Sequence, residues 1–352
     1  MNPKLQQIWS DEFWKEEATR IEMEYWQIIK KHIPEIHCVL GDFPTEHRIE
    51  KFVRELSVEK DIGNLHVGLT SSDLEDNVRI KRLELSFGLI EDKLTKMVEV
   101  MTERGCPDKN MIAYTHLMPA STTTIQRRML NWGEMLGAVN SIEFIYKGIG
   151  GAIGDSEIQK LINGNWDGES ENDFIFTGKE CQEYPTQTVN HRTEYTVACA
   201  ITWYAACLSK ISNDIRQMFA FNQAIHTQKD VGSTAMAHKA PNPWRYERIS
   251  GMAEMLYDLP TRVARVASSC LLERTLTNQS VLNYMFERAF NDLDLMIDDM
   301  TDALGKTEFI DQTKLCKNPV LHSEEEMLKL IKKGMPRLYA HKKIHEKYKN
   351  KK

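Results

Sequence analysis

The sequence lacks any run of about 18 apolar residues, the length a helix needs to cross a bilayer. Its first residues, MNPKLQQIWSDEFWKEE, are too charged for a secretory signal. It has no CxxC pair. Its seven cysteines stand singly at Cys38, Cys106, Cys181, Cys199, Cys207, Cys270 and Cys316, which argues against disulfide and zinc frameworks and suits a reduced compartment. It also lacks an excess of positive charge. With 45 basic and 51 acidic residues the net charge is -6, so no global field exists to grip a nucleic-acid polymer. These absences predict a soluble cytoplasmic protein with no membrane and no nucleic-acid partner. Glycine and proline are sparse as well, 18 and 11 among 352 residues, below the usual ~7% and ~5%. A chain of this length can bury its own core without metals or crosslinks.

What remains is helical periodicity. From Pro185 to Gly232 no helix breaker occurs, and Val197, Ile201, Tyr204, Leu208, Ile211, Ile215 and Met218 alternate four and three apart. Leu83, Phe87, Ile90, Leu94, Met97 and Met101 repeat the spacing, as do Ile125, Met129, Trp132, Leu136 and Val139. Such seams belong to long helices packed lengthwise, and core packing explains them better than a cofactor site does. The expected fold is all-α, a long helical bundle with small flanking lobes. The expected divisions are an amino-terminal lobe over 1–70, a central bundle over 71–305 that includes a loop at 230–243, and a reduced lobe with a basic tail over 306–352. Ser72 and Glu75 predict a capping box, placing TSSD at a helix start. Pro119 predicts a helix entry at STTTIQRR, GIGGAIGDS (148–156) a break, and 163–185 an irregular excursion.

The loop GSTAMAHKAPNP (232–243) has few apolar anchors. Composition favours a mobile linker, and the same residues would also serve as a closing lid that carries a reactive hydroxyl. Two other polar blocks stand out: HVGLTSSD (66–73), preceded by Thr45-Glu46-His47, whose TSSD hydroxyls fall at an expected helix start that suits an anion, and THLMPASTTT (115–124). A lone histidine is more often structural than catalytic, and His116 rises above that expectation only through its block.

Taken together and in order, these blocks resemble those of the adenylosuccinate lyases within the fumarase/aspartase superfamily. GSTAMAHKAPNP is similar to GSSxMPxKxNP, with MAHK nearest to MPHK; HVGLTSSD is similar to HYGLTSxD, and THLMPASTTT to THxQPAQxTT. Weaker likenesses follow at Gly151–Gly154, Gln187-Thr188 and Glu273-Arg274-Thr275-Leu276. The resemblance spans roughly residues 8–300. It implies elimination of fumarate from a succinyl-purine nucleotide, adenylosuccinate to AMP or the related SAICAR, with an argininosuccinate-lyase-like enzyme or a silent helical homologue as alternatives. Such a reaction needs a base, an acid and donors for a dianionic intermediate. The resemblance casts Ser233 as base, His116 as acid, Lys239 as the group stabilising the serine alkoxide, and Glu247 as the residue orienting the histidines. It places Thr70, Ser71, Thr123 and Thr124 on the succinyl carboxylates. His47, His66, Thr115, Gln187, Met236, Asn242 and Arg274 would line the rest of the substrate site. It implies a homotetramer whose active sites draw blocks from different chains, and no metal or organic cofactor.

The sequence departs from the family pattern in four places. The loop has one extra residue between Lys239 and Asn242, and Ala237 stands where proline is usual. No arginine precedes Arg20, and Gln279 and Asn283 occupy positions of a family serine and arginine. Arg274 is then the remaining phosphate anchor, and neither Asn nor Gln replaces a guanidinium's charged fork. The stretch after the loop is short, so a reduced carboxy-terminal lobe is expected. These departures suggest a divergent enzyme that takes a deoxy or 2-amino version of the nucleotide.

Overall fold

A computed structural model describes residues 2–39, 44–137, 142–227, 235–236, 241–275 and 279–349. The chain begins with helices α1 (Pro3–Ile8), α2 (Asp11–Ile29), α3 (Arg48–Lys60) and the long α4 (Ser71–Arg104). A hairpin follows, β1 (Asn110–Thr115) and β2 (Met118–Thr124), and leads directly into α5 (Ile125–Leu136). Two short helices, α6 (Glu157–Ile162) and α7 (Glu169–Phe176), precede the second long helix, α8 (Arg192–Ala220). Beyond it come β3 (Ala224–His226), α9 (Trp244–Leu256), α10 (Leu259–Ser268) and the third long helix, α11 (Gln279–Gly305). The chain continues with β4 (Thr307–Phe309), α12 (Thr313–Cys316), a 3-10 turn, α13 (Ser323–Lys332) and α14 (Arg337–Tyr348). The fold is all-α, with two small antiparallel ribbons, β1–β2 and β3–β4, among the described residues. No described helix is long and apolar enough to cross a membrane.

Contacts divide the chain into two units, each assembled from three segments. The first comprises Met1–Lys93, Val139–Ala206 and Met252–Met296; the second comprises Leu94–Ala138, Cys207–Gly251 and Ile297–Lys352. Both cores are built from the predicted seams. In the first unit Leu83, Phe87 and Ile90 are buried with Val197, Ile201 and Tyr204, and Phe87 stacks on Tyr204 with centroids 6.1 Å apart. In the second, Leu94, Met97, Met101, Ile125, Met129, Trp132, Leu136, Leu208, Ile211, Ile215 and Met218 are all buried. Each such side chain contributes about 1.5–3 kcal/mol by leaving water. That contribution, more than helix propensity, fixes these elements. Val139 lies outside the described residues.

Three local readings are corrected. Helix α4 starts at Ser71, so Ser72 lies inside it and the reciprocal cap belongs to Asp73, whose Oδ2 accepts from the Thr70 amide at 2.7 Å. Residues 118–124 form β2, not the start of a helix: the threonine run takes the extended pairing, and Thr124 then caps α5 by accepting from the Arg127 amide at 3.2 Å. The 163–185 excursion contains α7, a helix of 8 residues anchored by buried Ile175 and Phe176.

Candidate active site

In the first unit, the amino terminus of α4 is the organising point. Asp73 is fully buried there and gathers donors from two segments distant in sequence. Besides the Thr70 amide, its carboxylate accepts from the amides of Gly150 at 3.1 Å and Gly151 at 3.2 Å, and it is ion-paired with the fully buried Lys147. One turn further along, Asn77 accepts from the Lys147 amide at 2.8 Å and donates to Gly148 O at 3.0 Å. The 147–151 turn is thereby fastened beneath HVGLTSSD. It needs glycine at Gly151, where φ is +70° and a Cβ would fall 2.8 Å from Gly68 O, and at Gly154, where φ is +86° and a Cβ would fall 2.2 Å from Pro185 O.

The same network reaches two more of the blocks singled out above. Gln159 donates to Gly68 O at 2.6 Å. Gln187 donates to Ala152 O at 2.6 Å and accepts from Arg274 Nη1 at 2.8 Å. Segments 66–73, 147–154, 187–188 and 274 thus share one hydrogen-bonded assembly, with Thr70 and Ser71 half-buried at the helix start. The first amides of a long helix, beside hydroxyls, are suited to a carboxylate or phosphate.

His66 enters this assembly in a left-handed conformation, with φ of 65°. Its Nδ1 is hydrogen-bonded to the carboxylate of Glu22, a fully buried residue of α2. Burial alone would lower the imidazole's affinity for a proton. The hydrogen bond and charge of Glu22, with the charge of Asp73, outweigh it and leave the pKa raised above 6.5. His47 has a different part: it is exposed and caps α3, accepting from the Glu50 amide at 3.3 Å.

The second unit holds the remaining described candidates. His116 and Leu117 are the two tip residues of the β1–β2 hairpin, with φ of 52° and 60° and Thr115 paired to Met118. Two left-handed residues in a two-residue loop make a type I′ turn, which matches the twist of its strands. The base of the hairpin is rigidly held. Gln312 accepts from the Ile112 amide at 3.1 Å, Gln223 donates to Ile112 O at 2.8 Å, and Arg128 donates to the same oxygen at 3.0 Å. Tyr114 stacks on Phe221 at 4.1 Å with planes 9° apart. The ring of His116 is therefore presented at an exposed tip on a stiff support. A cavity of about 530 Å³ lies against the body of the hairpin and α5, lined by Tyr114, Thr123, Arg127, Arg128, Trp132 and Asp214 among others; His116 is not part of its lining. Asn242 is half-buried just before α9, Glu247 lies exposed in the first turn of that helix 3.6 Å from Arg216, and Met236 is exposed.

The predicted residues therefore fall into two sets. His66, Thr70, Ser71, Gln187 and Arg274 converge in the first unit; Thr115, His116 and the Thr123/Thr124 pair share the hairpin of the second. Ser233 and Lys239 lie outside the described residues. Sequence reading overlooked Asp73, Lys147 and Glu22. For Glu22 a signal existed, because it interrupts the buried stripe of Trp14, Ala18, Ile21, Tyr25 and Ile29 with a carboxylate. Among the described residues no group of three or more His, Cys, Asp and Glu is arranged to hold a metal ion.

No family model matches the chain. It is 25% identical to the adenylosuccinate lyase of Schistosoma mansoni over 290 residues, 77% of this chain and 60% of that protein. Identity to the Saccharomyces cerevisiae adenylosuccinate lyase is 25% over 302 residues, covering 80% and 62%, and to the Pyrococcus abyssi enzyme 26% over 317, covering 80% and 65%. The chain thus spans a little over 60% of the length of the curated relatives it matches. Among solved structures it is similar to fumarate lyase from Mesorhizobium sp., with a TM-score of 0.75 at 14% identity, covering 98% of this chain and 85% of that one. The β-carboxy-cis,cis-muconate cycloisomerase of Acinetobacter calcoaceticus gives 0.73 at 15%, with the same coverage. The chain is a distant relative of the adenylosuccinate lyases and has the all-α fold of the fumarase/aspartase superfamily.

Proposed function

We propose that the chain is a cytoplasmic C–N lyase that releases fumarate from a succinyl-purine nucleotide. The observation that carries this reading is the single assembly at the start of α4, where HVGLTSSD is hydrogen-bonded to the turn at 147–154 and, through it, to Gln187 and Arg274, all positions with a likeness to adenylosuccinate lyases. Those amides and the hydroxyls of Thr70 and Ser71 hold the carboxylates of the succinyl group. Ser233, as alkoxide, takes the proton beside one carboxylate; the electron pair left on carbon forms the new double bond as the C–N bond breaks. His116 gives its proton to the departing nitrogen, and its place on a stiff hairpin suits a group that must meet one atom. Lys239 stabilises the serine alkoxide and the intermediate's charge, Asn242 adds a donor, Met236 lines the substrate site, and Glu247 orients the histidines. Gln187 and Arg274 hold the nucleotide end, where the weaker arginine complement favours a deoxy or 2-amino substrate.

We also assign the chain a homotetrameric state. Tyr195 and Trp203 on α8, and Val281 and Tyr284 on α11, leave large apolar surfaces in water on the single chain. Such surfaces suit a second copy.

The test is turnover of adenylosuccinate, its deoxy and 2-amino analogues, and argininosuccinate, followed by fumarate release. Ser233→Ala and His116→Ala should each lower kcat by about 10²–10⁴-fold while helicity is unchanged. Near-normal rates in either variant would refute the assigned roles. Release of fumarate from argininosuccinate alone would move the chain to that activity, and no turnover of any succinyl-amine would mark it as a silent homologue.

A further inference from the structure

Glu22 projects from the middle of α2 into the first unit's core and is fully buried, a position a carboxylate leaves water for only at high cost. One of its oxygens bonds His66 Nδ1, and the other has no hydrogen-bond partner. No lysine or arginine is paired with it among the described residues, so the imidazole is the group that offsets its charge. Three residues further along α2, Tyr25 donates to Val67 O at 3.0 Å. Helix α2 thus holds this segment at the His66 ring and again at the Val67 carbonyl, and the His66 backbone is left-handed, with φ of 65°.

We propose that Glu22 is a positioning residue for the lyase reaction, which holds His66 by Nδ1 as an imidazolium and leaves its Nε2–H as a charged donor for an anionic group of the substrate. The inference rests on the proposed function for its catalytic meaning and on the Glu22–His66 contact for its physical content. Two charged groups act on the ring: Glu22 from α2, in direct contact, and Asp73 from α4, whose own charge is paired with Lys147. Both favour the protonated form. A neutral imidazole would present either a lone pair or an uncharged N–H at Nε2, and a lone pair would repel an anion. Removing the carboxylate while keeping the shape should therefore weaken the hold of His66 on its proton and bring it back toward an ordinary histidine.

The experiment is a pH titration of the full chain's histidine ring signals, with His66→Asn used to assign the His66 signal. In the unaltered protein the His66 midpoint should lie above the ordinary ~6.5; a midpoint below it overturns the proposal, without need of any variant. Glu22→Gln should lower that midpoint by about one unit or more, and Glu22→Asp should restore part of the shift. On the succinyl-purine substrate, Glu22→Gln should raise KM about 10-fold above pH 7 and far less near pH 6, with kcat changed under about 3-fold. A Glu22→Gln variant whose His66 midpoint is unmoved, or whose loss falls on kcat equally at every pH, overturns the assignment. If no succinyl-amine is turned over at all, the lyase reading fails while the titration still decides the Glu22–His66 linkage.

Discussion

At the scale of single residues, the first unit is held by ionic groups withdrawn from water. Arg79 pairs with Asp76 at 2.8 Å and with Glu194 at 3.0 Å, and His191 approaches Glu194 at 3.2 Å; Arg79 and Asp76 belong to α4, Glu194 to α8 and His191 to the residues just before it. Burial pushes the Glu194 carboxyl up, but the His191 hydrogen bond and the Arg79 charge prevail and hold it down to about 2, against an ordinary 4.5. Since the folded value lies below the unfolded one, protons bind the unfolded chain first. The stabilisation is present above pH 4.5 and lost as pH falls toward 2. It amounts to about 3 kcal/mol, order of magnitude. Urea unfolding across that range should show stability dropping with acid, and Glu194→Gln should be less stable at pH 7 and flatter below pH 4.5. An unchanged acid slope in the variant would remove Glu194 from this account. These pairs were not legible in the sequence, because Asp73 and Lys147, like Arg79 and Glu194, meet across long separations without a local pattern. Glu22 is the exception, betrayed by its place in an apolar stripe.

At the scale of elements, the long helices were the most readable part, because a 3.6-residue period repeated over many turns leaves little else to be formed. The hairpin was not, since Pro119 followed by a polar run looks like a helix entry as much as a strand. What decides in favour of β2 is pairing with β1, whose buried Met111 and well-held Ile112 anchor the ribbon. The tip then imposes a left-handed backbone on Leu117, an exposed residue that gains nothing local in return. A non-glycine residue there costs about 1 kcal/mol. Leu117→Gly should accordingly be neutral or stabilise the chain by about 0.5–1 kcal/mol in thermal unfolding, and leave the position of His116 intact. Destabilisation beyond about 1 kcal/mol would mean that the leucine side chain is buried against another copy.

At the scale of the whole molecule, composition and periodicity together were enough to place the chain among helical bundles, and the ordered blocks pointed to its relatives. Which surfaces the proposed tetramer would cover was not readable, because a heptad seam looks the same whether its partner is in the same chain or another. The single chain supplies the missing information as exposure. Tyr284 is 74% exposed and Val281 43% exposed one turn earlier on α11, while Leu282 and Phe286 on the opposite side are fully buried. A helix with an apolar inner face and an aromatic outer one has two packing faces, and the chain itself fills one. Burying a side chain of this size yields about 1.5–3 kcal/mol per copy, a gain multiplied by symmetry. Tyr284→Glu would set a charge against that surface, where an unpaired buried charge costs several kcal/mol. Sedimentation should find the unaltered chain as a tetramer and the variant as smaller species, with helicity retained. A variant that sediments unchanged would show that the outer face of α11 faces solvent in the assembled protein, and the interface would then be sought on α8, where Trp203 is 43% exposed.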